Sequence, residues 1–308
     1  MFFFEKIEKS SSMEINLRKY NDKVSNSKVS SFTINNNDPI ELFVKRDDLI
    51  HPEVSGNKWR KLKWNVLGAL QNNCNVISTC GGAYSNHLLA TASLGKDFGI
   101  KTRAYVRGDE LNQSSNYLLK RCHDLNMDLR FIDRKRYSIH KRTNGIYVDS
   151  KDRIWNIPEG GANKEGVEGC KEIIQETSND FDFIFVAQGT STTSMGILSA
   201  MNPKSILAVV PVLKGYDSIK EMKWLQKEYS LDFDQSKIIV LDEFHFGGYA
   251  KSNDILTDFV EEFNQSNMFQ IEPVYTGKVM YALNQHIKTN SLAHKKVLFV
   301  HTGGLHNH

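Results

Sequence analysis

The sequence predicts an α/β protein of two domains, each an open parallel sheet with flanking helices, and three observations predict it. Short apolar segments of strand character alternate with helical segments along most of the 308 residues, and such alternation makes parallel sheets with crossover helices. The alternation comes in two series, the first enclosed by the second. That nesting predicts a small domain at 61–159 inserted into a large one made of 1–60 and 160–308. Finally, several strand-like segments run into loops rich in Gly, Ser and Thr, where open parallel sheets hold their ligands.

Composition narrows the class. The chain is 40% hydrophobic and 24% charged with a net charge of +3, which is ordinary for a globular domain. A pI near 8.5 is too mild to argue for nucleic acid or a membrane surface as a partner. Cys74, Cys80, Cys122 and Cys170 form no CxxC pair, so neither a zinc site nor a disulfide framework is expected. They read as small buried hydrophobes in a reducing compartment. Phe2-Phe3-Phe4 runs at once into Glu5 and Lys6, too short for a signal peptide. Ile206 to Leu213 is likewise too short to cross a bilayer. The cytoplasm is the expected compartment.

In order, residues 1–37 are polar, end in Asn35-Asn36-Asn37, and read as peripheral, with EINLRKY as an edge element. Ile40 to Lys45 reads as a strand, and the Arg46, Asp47, Asp48 group after it as an ion-pair network rather than a metal cluster. A helix follows from Lys58 to Leu70. Strands at Asn75–Thr79, Lys101–Val106 and Asp128–Ile132 then alternate with helices at Ser85–Gly99 and Asn112–Leu125. Residues 134–153 are charged and carry no pattern, which predicts a surface excursion with Arg134–Arg136 solvated. IPEGGANKEG opens a helix through Val167 and Ile173-Ile174. The second series has strands at Phe181–Ala187, Ser205–Leu213 and Lys237–Leu241, with helices from Ser194, over Asp217–Tyr229, near Asp254–Asn264 and near Gly277–Lys288. VLFVH is the last strand.

Lys58 is the residue on which the chemistry turns. Gly56 tolerates positive φ and Asn57 is a favoured N-cap, while Trp59, Leu62, Val66 and Leu70 recur at helical spacing. Lys58 thus lies in a first helical turn, where the macrodipole disfavours a cation. A depressed ammonium suits an amine that must attack a carbonyl. Taken alone, the stretch reads equally as a solvated lysine among Arg60, Lys61 and Lys63.

Two loops supply anion cups. Gly189-Thr190-Ser191-Thr192-Thr193 joins a strand to a helix start and offers four hydroxyls and free N–H groups, a cradle for a phosphate satisfied without a lysine. It matches neither GK[ST] nor GxGxxG. Gly81-Gly82-Ala83-Tyr84-Ser85-Asn86-His87 makes a second cup, fitted to a carboxylate, with Ser85 as the natural N-cap. EPVYTGK, from Glu272, and FVHTGG, ending at Gly304, leave strands in loops that bear an aromatic or hydroxyl side chain. One lysine, a phosphate cup, a carboxylate cup and a hydroxyl at a strand end together suit pyridoxal 5′-phosphate and an amino-acid substrate.

The set SGNKWRKL, GGAYSNH, IPEGGANKEG, QGTSTTSMG, EPVYTGK and HTGG resembles the tryptophan-synthase-β-like (fold type II) pyridoxal-phosphate enzymes. Within them it resembles the branch of 1-aminocyclopropane-1-carboxylate deaminase and D-cysteine desulfhydrase, over roughly residues 40–305. The resemblance implies that Lys58 binds the cofactor covalently, Asn86 holds its phenolic oxygen, Gly189 to Thr193 hold its phosphate and Thr302 meets its ring nitrogen. It implies that Ser85 serves the substrate carboxylate and proton transfer, with Asn86 and His87 beside the substrate. Tyr275 would lie at the cofactor ring face and Tyr249 near the substrate. The assembly it implies is a homodimer.

The ring-opening deaminases carry a glutamate after the tyrosine, where this chain has Thr276. Neutral partners at Thr276 and Thr302 imply a weaker electron sink, which favours α,β-elimination of a small amino acid such as D-cysteine, giving a 2-keto acid and ammonia. Tyr84, where relatives often have glutamine, departs from the pattern at the substrate. The alternatives are 1-aminocyclopropane-1-carboxylate deaminase activity and a non-catalytic protein that binds pyridoxal phosphate or a phosphate ligand. No metal is expected: His301, His306 and His308 read as a polar tail, and Arg18 and Lys19 as a solvated face.

Overall fold

A computed structural model describes residues 11–34, 39–54, 56–149, 151–178, 180–289 and 292–304, with backbone alone for 11–16. Phe2–Phe4, Asn35–Asn37, Ser55, His306 and His308 lie outside the described residues. The elements run α1 (Ser11–Val24), β1 (Val29–Phe32), β2 (Glu41–Lys45), α2 (Asn57–Gln71), β3 (Val76–Gly82), α3 (Asn86–Phe98), β4 (Lys101–Arg107), α4 (Tyr117–Asp124), β5 (Asp128–Ile132), α5 (Arg134–His140), β6 (Gly145–Asp149) and β7 (Asp152–Asn156). They continue α6 (Lys164–Gln175), β8 (Phe183–Gln188), α7 (Thr192–Ala200), β9 (Ile206–Pro211), α8 (Ser218–Tyr229), β10 (Ile238–Val240), α9 (Asp254–Ser266), α10 (Thr276–Thr289) and β11 (Lys296–Val300).

Two sheets result. One has strand order β1-β2-β11-β8-β9-β10 and the other β5-β4-β3-β7-β6. Each is parallel except at one edge, where β1 pairs antiparallel with β2 and β6 with β7. The central strands read as near-continuous apolar runs because helices cover both faces: Ile184, Phe185, Val186, Leu298 and Phe299 are all fully buried. The α/β class and the two nested sheets are as the sequence predicts.

Two stretches differ from expectation. Residues 134–153 are not a patternless excursion but form α5 and the hairpin β6–β7, with β7 inserted beside β3. Ile154 and Trp155 are buried there, two apolar residues that the surrounding charges mask in sequence. EINLRKY is not an edge element but part of α1. Leu17 and Tyr20 recur at a spacing of three and are buried, with the Tyr20 ring stacked 4.5 Å from Trp59 and 5.0 Å from His51.

Helix α2 is bolted to α6. Their backbones come so close that a Cβ on Gly169 would lie 1.9 Å from the Arg60 carbonyl oxygen. Arg60, fully buried, donates to Asp47 Oδ1 at 3.0 Å and to Glu176 Oε2 at 2.7 Å, and Lys45 reaches the same Glu176 oxygen at 2.8 Å. Lys63 pairs with Glu172 at 2.9 Å, and Arg46 with Asp48 at 2.7 Å. The ion-pair reading of Arg46, Asp47 and Asp48 therefore holds, whereas the reading of Lys58 as a solvated lysine does not: Lys58 is half-buried, and Arg60, Lys61 and Lys63 beside it are buried.

Burial pushes the Asp47 carboxyl up, but the Arg60 guanidinium beside it outweighs this and holds it below the usual range. A carboxylate with a depressed folded-state value stabilises above its unfolded value and loses that contribution as pH falls through the folded one. Arg60→Met leaves Asp47 buried without its counter-charge and is expected to cost about 3–5 kcal/mol in urea unfolding at pH 7. The gap to wild type should narrow on acidification.

Candidate active site

The loops at the C-terminal ends of β3, β8 and β11 converge on the start of α2. What brings them together is a backbone contact. Gly56 has φ 60°, and a Cβ there would sit 1.8 Å from the Thr302 carbonyl oxygen. Only glycine fits. The Asn57 N–H donates to that same oxygen at 3.3 Å, so the first turn of α2 lies against the end of β11. The N-cap is Gly56 rather than Asn57, without a side-chain capping bond. Asn57 is the first helical residue, and its amide works sideways: Nδ2 donates to Thr193 Oγ1 at 2.8 Å and Oδ1 accepts from Lys58 Nζ at 2.8 Å.

Lys58 has no carboxylate in ion-pair distance among the described residues, and burial, with the Lys61 charge beside it, pushes its ammonium down to about 7. The first-turn argument from sequence gives the right direction, but desolvation is the larger cause. Lys61, one helical turn on, is buried too, and burial lowers it as well. Its Nζ reaches Thr190 Oγ1 at 3.3 Å. The Gly189–Thr193 loop, expected to need no lysine, therefore has one aimed at it.

The cup itself is tightly set. Its helix starts at Thr192 rather than Ser194, with Ser191 at the N-cap position and no side-chain capping bond. Ser191 Oγ is fixed by Gln188 Nε2 at 2.6 Å and by the Tyr216 hydroxyl at 3.0 Å. Thr190 and Thr192 hydroxyls lie 3.3 Å apart, and Ser194 Oγ is buried without a partner. Gly189 leaves room for the Tyr275 ring, whose Cε1 would be 3.5 Å from a Cβ there.

Across the crevice, Ser85 takes the N-cap position of α3 without making a capping bond itself. Asn86 and His87 are the first helical residues. Asn86 Oδ1 is buried and unpartnered. His87 is buried with Nε2 3.0 Å from Thr79 Oγ1; burial and the charges of Lys58 and Lys61 keep it neutral, well below its ordinary value. The two sides touch: the Tyr249 hydroxyl donates to the Tyr84 carbonyl at 2.9 Å, and the Tyr249 and Tyr275 rings meet edge-on at 5.9 Å. Burial raises both phenols, Tyr275 strongly. Both stay protonated, as donors.

Glu272 was not singled out by sequence. Its carboxylate is buried and accepts from the N–H groups of Val274, Tyr275 and Thr276 at 2.6, 2.9 and 2.8 Å. Thr276 Oγ1 donates to Glu272 Oε1 at 3.1 Å, so that hydroxyl is engaged within its own turn. Burial pushes the Glu272 carboxyl up to about 7 against these bonds. The signals available were Lys61 one turn beyond Lys58 and an acidic residue four before a helix start. His301 is no tail residue: it is fully buried, with Nε2 2.7 Å from the Gln270 carbonyl. Among the described residues no group of side chains is arranged to hold a metal.

With this geometry in place, the comparisons are specific. The family model described as pyridoxal-phosphate dependent enzyme matches residues 28–303, and the chain belongs to that family. It is an enzyme with pyridoxal phosphate as its cofactor. An Arabidopsis thaliana relative, a bifunctional D-cysteine desulfhydrase/1-aminocyclopropane-1-carboxylate deaminase, is 29% identical, covering 86% of this chain and 72% of its own. A Thermotoga maritima relative that bears the deaminase name provisionally is 28% identical over 86% of this chain and 88% of its own. A solved deaminase homologue superposes with a TM-score of 0.72 at 25% identity, covering 86% of this chain and 85% of that one.

A lysine amine attacks a carbonyl only when neutral. The rate at which cofactor-free protein captures pyridoxal phosphate, followed by its visible absorbance band, is expected to rise with pH to about 7 and then level. Lys58→Ala should show no such band at any pH.

Proposed function

We propose that this enzyme acts on a small amino acid by α,β-elimination, in the manner of a D-cysteine desulfhydrase, releasing a 2-keto acid and ammonia. The observation that carries the reading is a desolvated Lys58 amine between two uncapped helix starts, those of α7 and α3. The residues present fit the cofactor. Unpartnered Ser194 Oγ and Asn86 Oδ1 and a buried Lys61 aimed at Thr190 are polar groups suited to the oxygens of that cofactor.

In this reading Gly189, Thr190, Ser191, Thr192 and Thr193 with Lys61 hold the phosphate, charge-assisted at one corner. Asn86 would hold the phenolic oxygen, Thr302 would meet the ring nitrogen and Tyr275 would lie at the ring face. Ser85 with the α3 N–H groups takes the substrate carboxylate, and neutral His87 supports that wall from behind. The cofactor, when bound, supplies an electron sink for the charge left at Cα. Lys58, whose ammonium burial holds down at about 7, would take the α-proton in its neutral form. The β-sulfur leaves with the electrons of its bond to carbon, and Tyr249 or Tyr275, both protonated, donates to developing negative charge.

One observation favours the deaminase alternative. Thr276 replaces the glutamate of the ring-opening enzymes, yet Glu272 brings a buried carboxylate within 3.4 Å of a Cβ placed on Gly304, and its charge reaches Lys58. A carboxylate near the ring end of the site strengthens the sink. Glu272 thus weakens the argument from Thr276 alone.

The division into 1–60 with 160–308 and an inserted 61–159 is supported by the two sheets, with α2 packed against β3 and β7 on one side and against α6 and α7 on the other. A cytoplasmic homodimer is supported by four buried free cysteines and by the exposed Ile146, Tyr147 and Val148 of β6. No helix among the described residues is long and apolar enough to cross a membrane.

The deciding assay supplies D-cysteine and 1-aminocyclopropane-1-carboxylate in parallel to the cofactor-loaded enzyme. Pyruvate and sulfide from the first, absent in Lys58→Ala, are the expected result; turnover of the cyclopropane substrate alone would overturn the elimination reading. Separately, Lys61→Met is expected to weaken pyridoxal phosphate binding about ten- to a hundred-fold, the worth of one charge-assisted hydrogen bond. Pyridoxal, which lacks the phosphate, should bind both forms equally in the same spectral titration.

A further inference from the structure

Lys278 is a buried cation that feels Glu272 only from beyond ion-pair distance. Its side chain is fully buried, and no carboxylate lies in ion-pair distance among the described residues. Its Nζ instead donates to two backbone carbonyls, His245 at 2.9 Å and Gly248 at 2.8 Å. Those carbonyls belong to the turn that carries Tyr249. Desolvating an ammonium to hold two neutral oxygens is costly.

The turn needs holding. Phe246, Gly247, Gly248 and Ala250 all have positive φ, at 50°, 88°, 116° and 55°, and two of these are not glycine. Such a run persists where its surroundings over-determine it. Its internal bonds are few: Gly247 N–H to His245 Nδ1 at 2.9 Å, Gly248 N–H to the His245 carbonyl at 3.0 Å and Lys251 N–H to the Gly248 carbonyl at 3.2 Å. The left-handed run is what turns the His245 and Gly248 carbonyls toward one point.

Helix α10 meets that turn at a spacing of three. Tyr275 just before it contacts the Tyr249 ring, Lys278 takes the two carbonyls, and Tyr281 packs edge-on against Phe246 at 5.2 Å. Tyr249 in turn reaches the Tyr84 carbonyl beside Ser85. We propose that Lys278 is a positioning residue: its grip on the His245 and Gly248 carbonyls sets the turn that delivers the Tyr249 hydroxyl to the substrate side of the crevice. The inference rests on the proposed role of Tyr249 near the substrate. Burial lowers the ammonium to about 8, but the amine keeps enough N–H groups for both carbonyls when neutral, so the grip does not depend on its charge.

The test compares wild type, Lys278→Met, Tyr249→Phe and the double variant, all loaded with cofactor. Two readouts are taken: D-cysteine turnover, and hydrogen exchange of the Gly248 and Lys251 amides. If Lys278 acts through Tyr249, its loss lowers kcat about ten-fold or more when Tyr249 is present and less than about two-fold when it is absent, the mark of coupled residues. Exchange at the two amides should quicken at least about ten-fold in Lys278→Met, with the cofactor band unchanged. Losses that multiply in the double variant, or unaltered exchange, overturn the proposal. Should Lys278→Met fail to fold, Gly248→Ala disturbs the same contact from the loop side and must give the same pattern. If wild type turns over neither substrate, the function reading falls while the exchange comparison still decides the role of Lys278.

Discussion

The site depends on a place where a side chain cannot exist. At Gly56 a single added carbon would overlap the Thr302 carbonyl oxygen at 1.8 Å, so two backbones meet where the chain leaves β11 and enters α2. That contact fixes where α2 begins, and therefore where Lys58 points. It also pins Thr302 opposite Lys58, although 244 residues separate them in sequence (302 − 58). Everything chemical in the crevice is registered against this one approach.

A close approach alone would leave the lysine-bearing helix free to pivot. The second constraint is electrostatic and sits on the same helix: Arg60, two residues beyond Lys58, is locked to Asp47 and Glu176 in the interior. Buried ion pairs contribute little net stability, but they are intolerant of misplacement, because a displaced partner leaves a bare charge. The network therefore serves as a register device for α2. Uncompensated lysines at 58, 61 and 278 are the opposite choice. None has a carboxylate within ion-pair distance among the described residues, and each points at a loop that handles ligand or substrate in the proposed chemistry. Structural lysines such as Lys45 and Lys63 have carboxylates.

That contrast explains how much the sequence disclosed. Strands β3, β8, β9 and β11 were legible because central parallel strands bury both faces and read as apolar runs, and β2, β4, β5 and β10 because turn residues and helical segments bound them. Lys58, Asn86, the Gly189–Thr193 cup and Tyr275 were legible because turn glycines and hydroxyls mark helix starts locally. The hairpin β6–β7 was not, since β6 is a solvent-facing edge strand and charges flank the buried Ile154 and Trp155 of β7. Nor was α1, whose buried face is two residues wide within the described side chains, Leu17 and Tyr20. Burial of Arg60, Lys61 and Lys63 is a tertiary fact: a basic run looks the same in sequence whether it meets water or carboxylates.

Glu272 shows where a motif comparison can mislead. Judged by the residue after the tyrosine, the chain lacks the carboxylate of the ring-opening enzymes. Judged in space, a carboxylate is present, buried, bonded to Thr276 Oγ1 and close enough to Lys58 for its charge to be felt. Yet its oxygens are already committed to three N–H groups at the start of α10, and an acceptor so occupied has little left with which to bind a ring proton. Its effect on the electron sink is therefore through the field rather than through contact. A field is a graded influence. Acting only through the field, Glu272 strengthens the sink less than a direct carboxylate–ring contact would, and elimination of a good leaving group is the reaction that asks less of the sink.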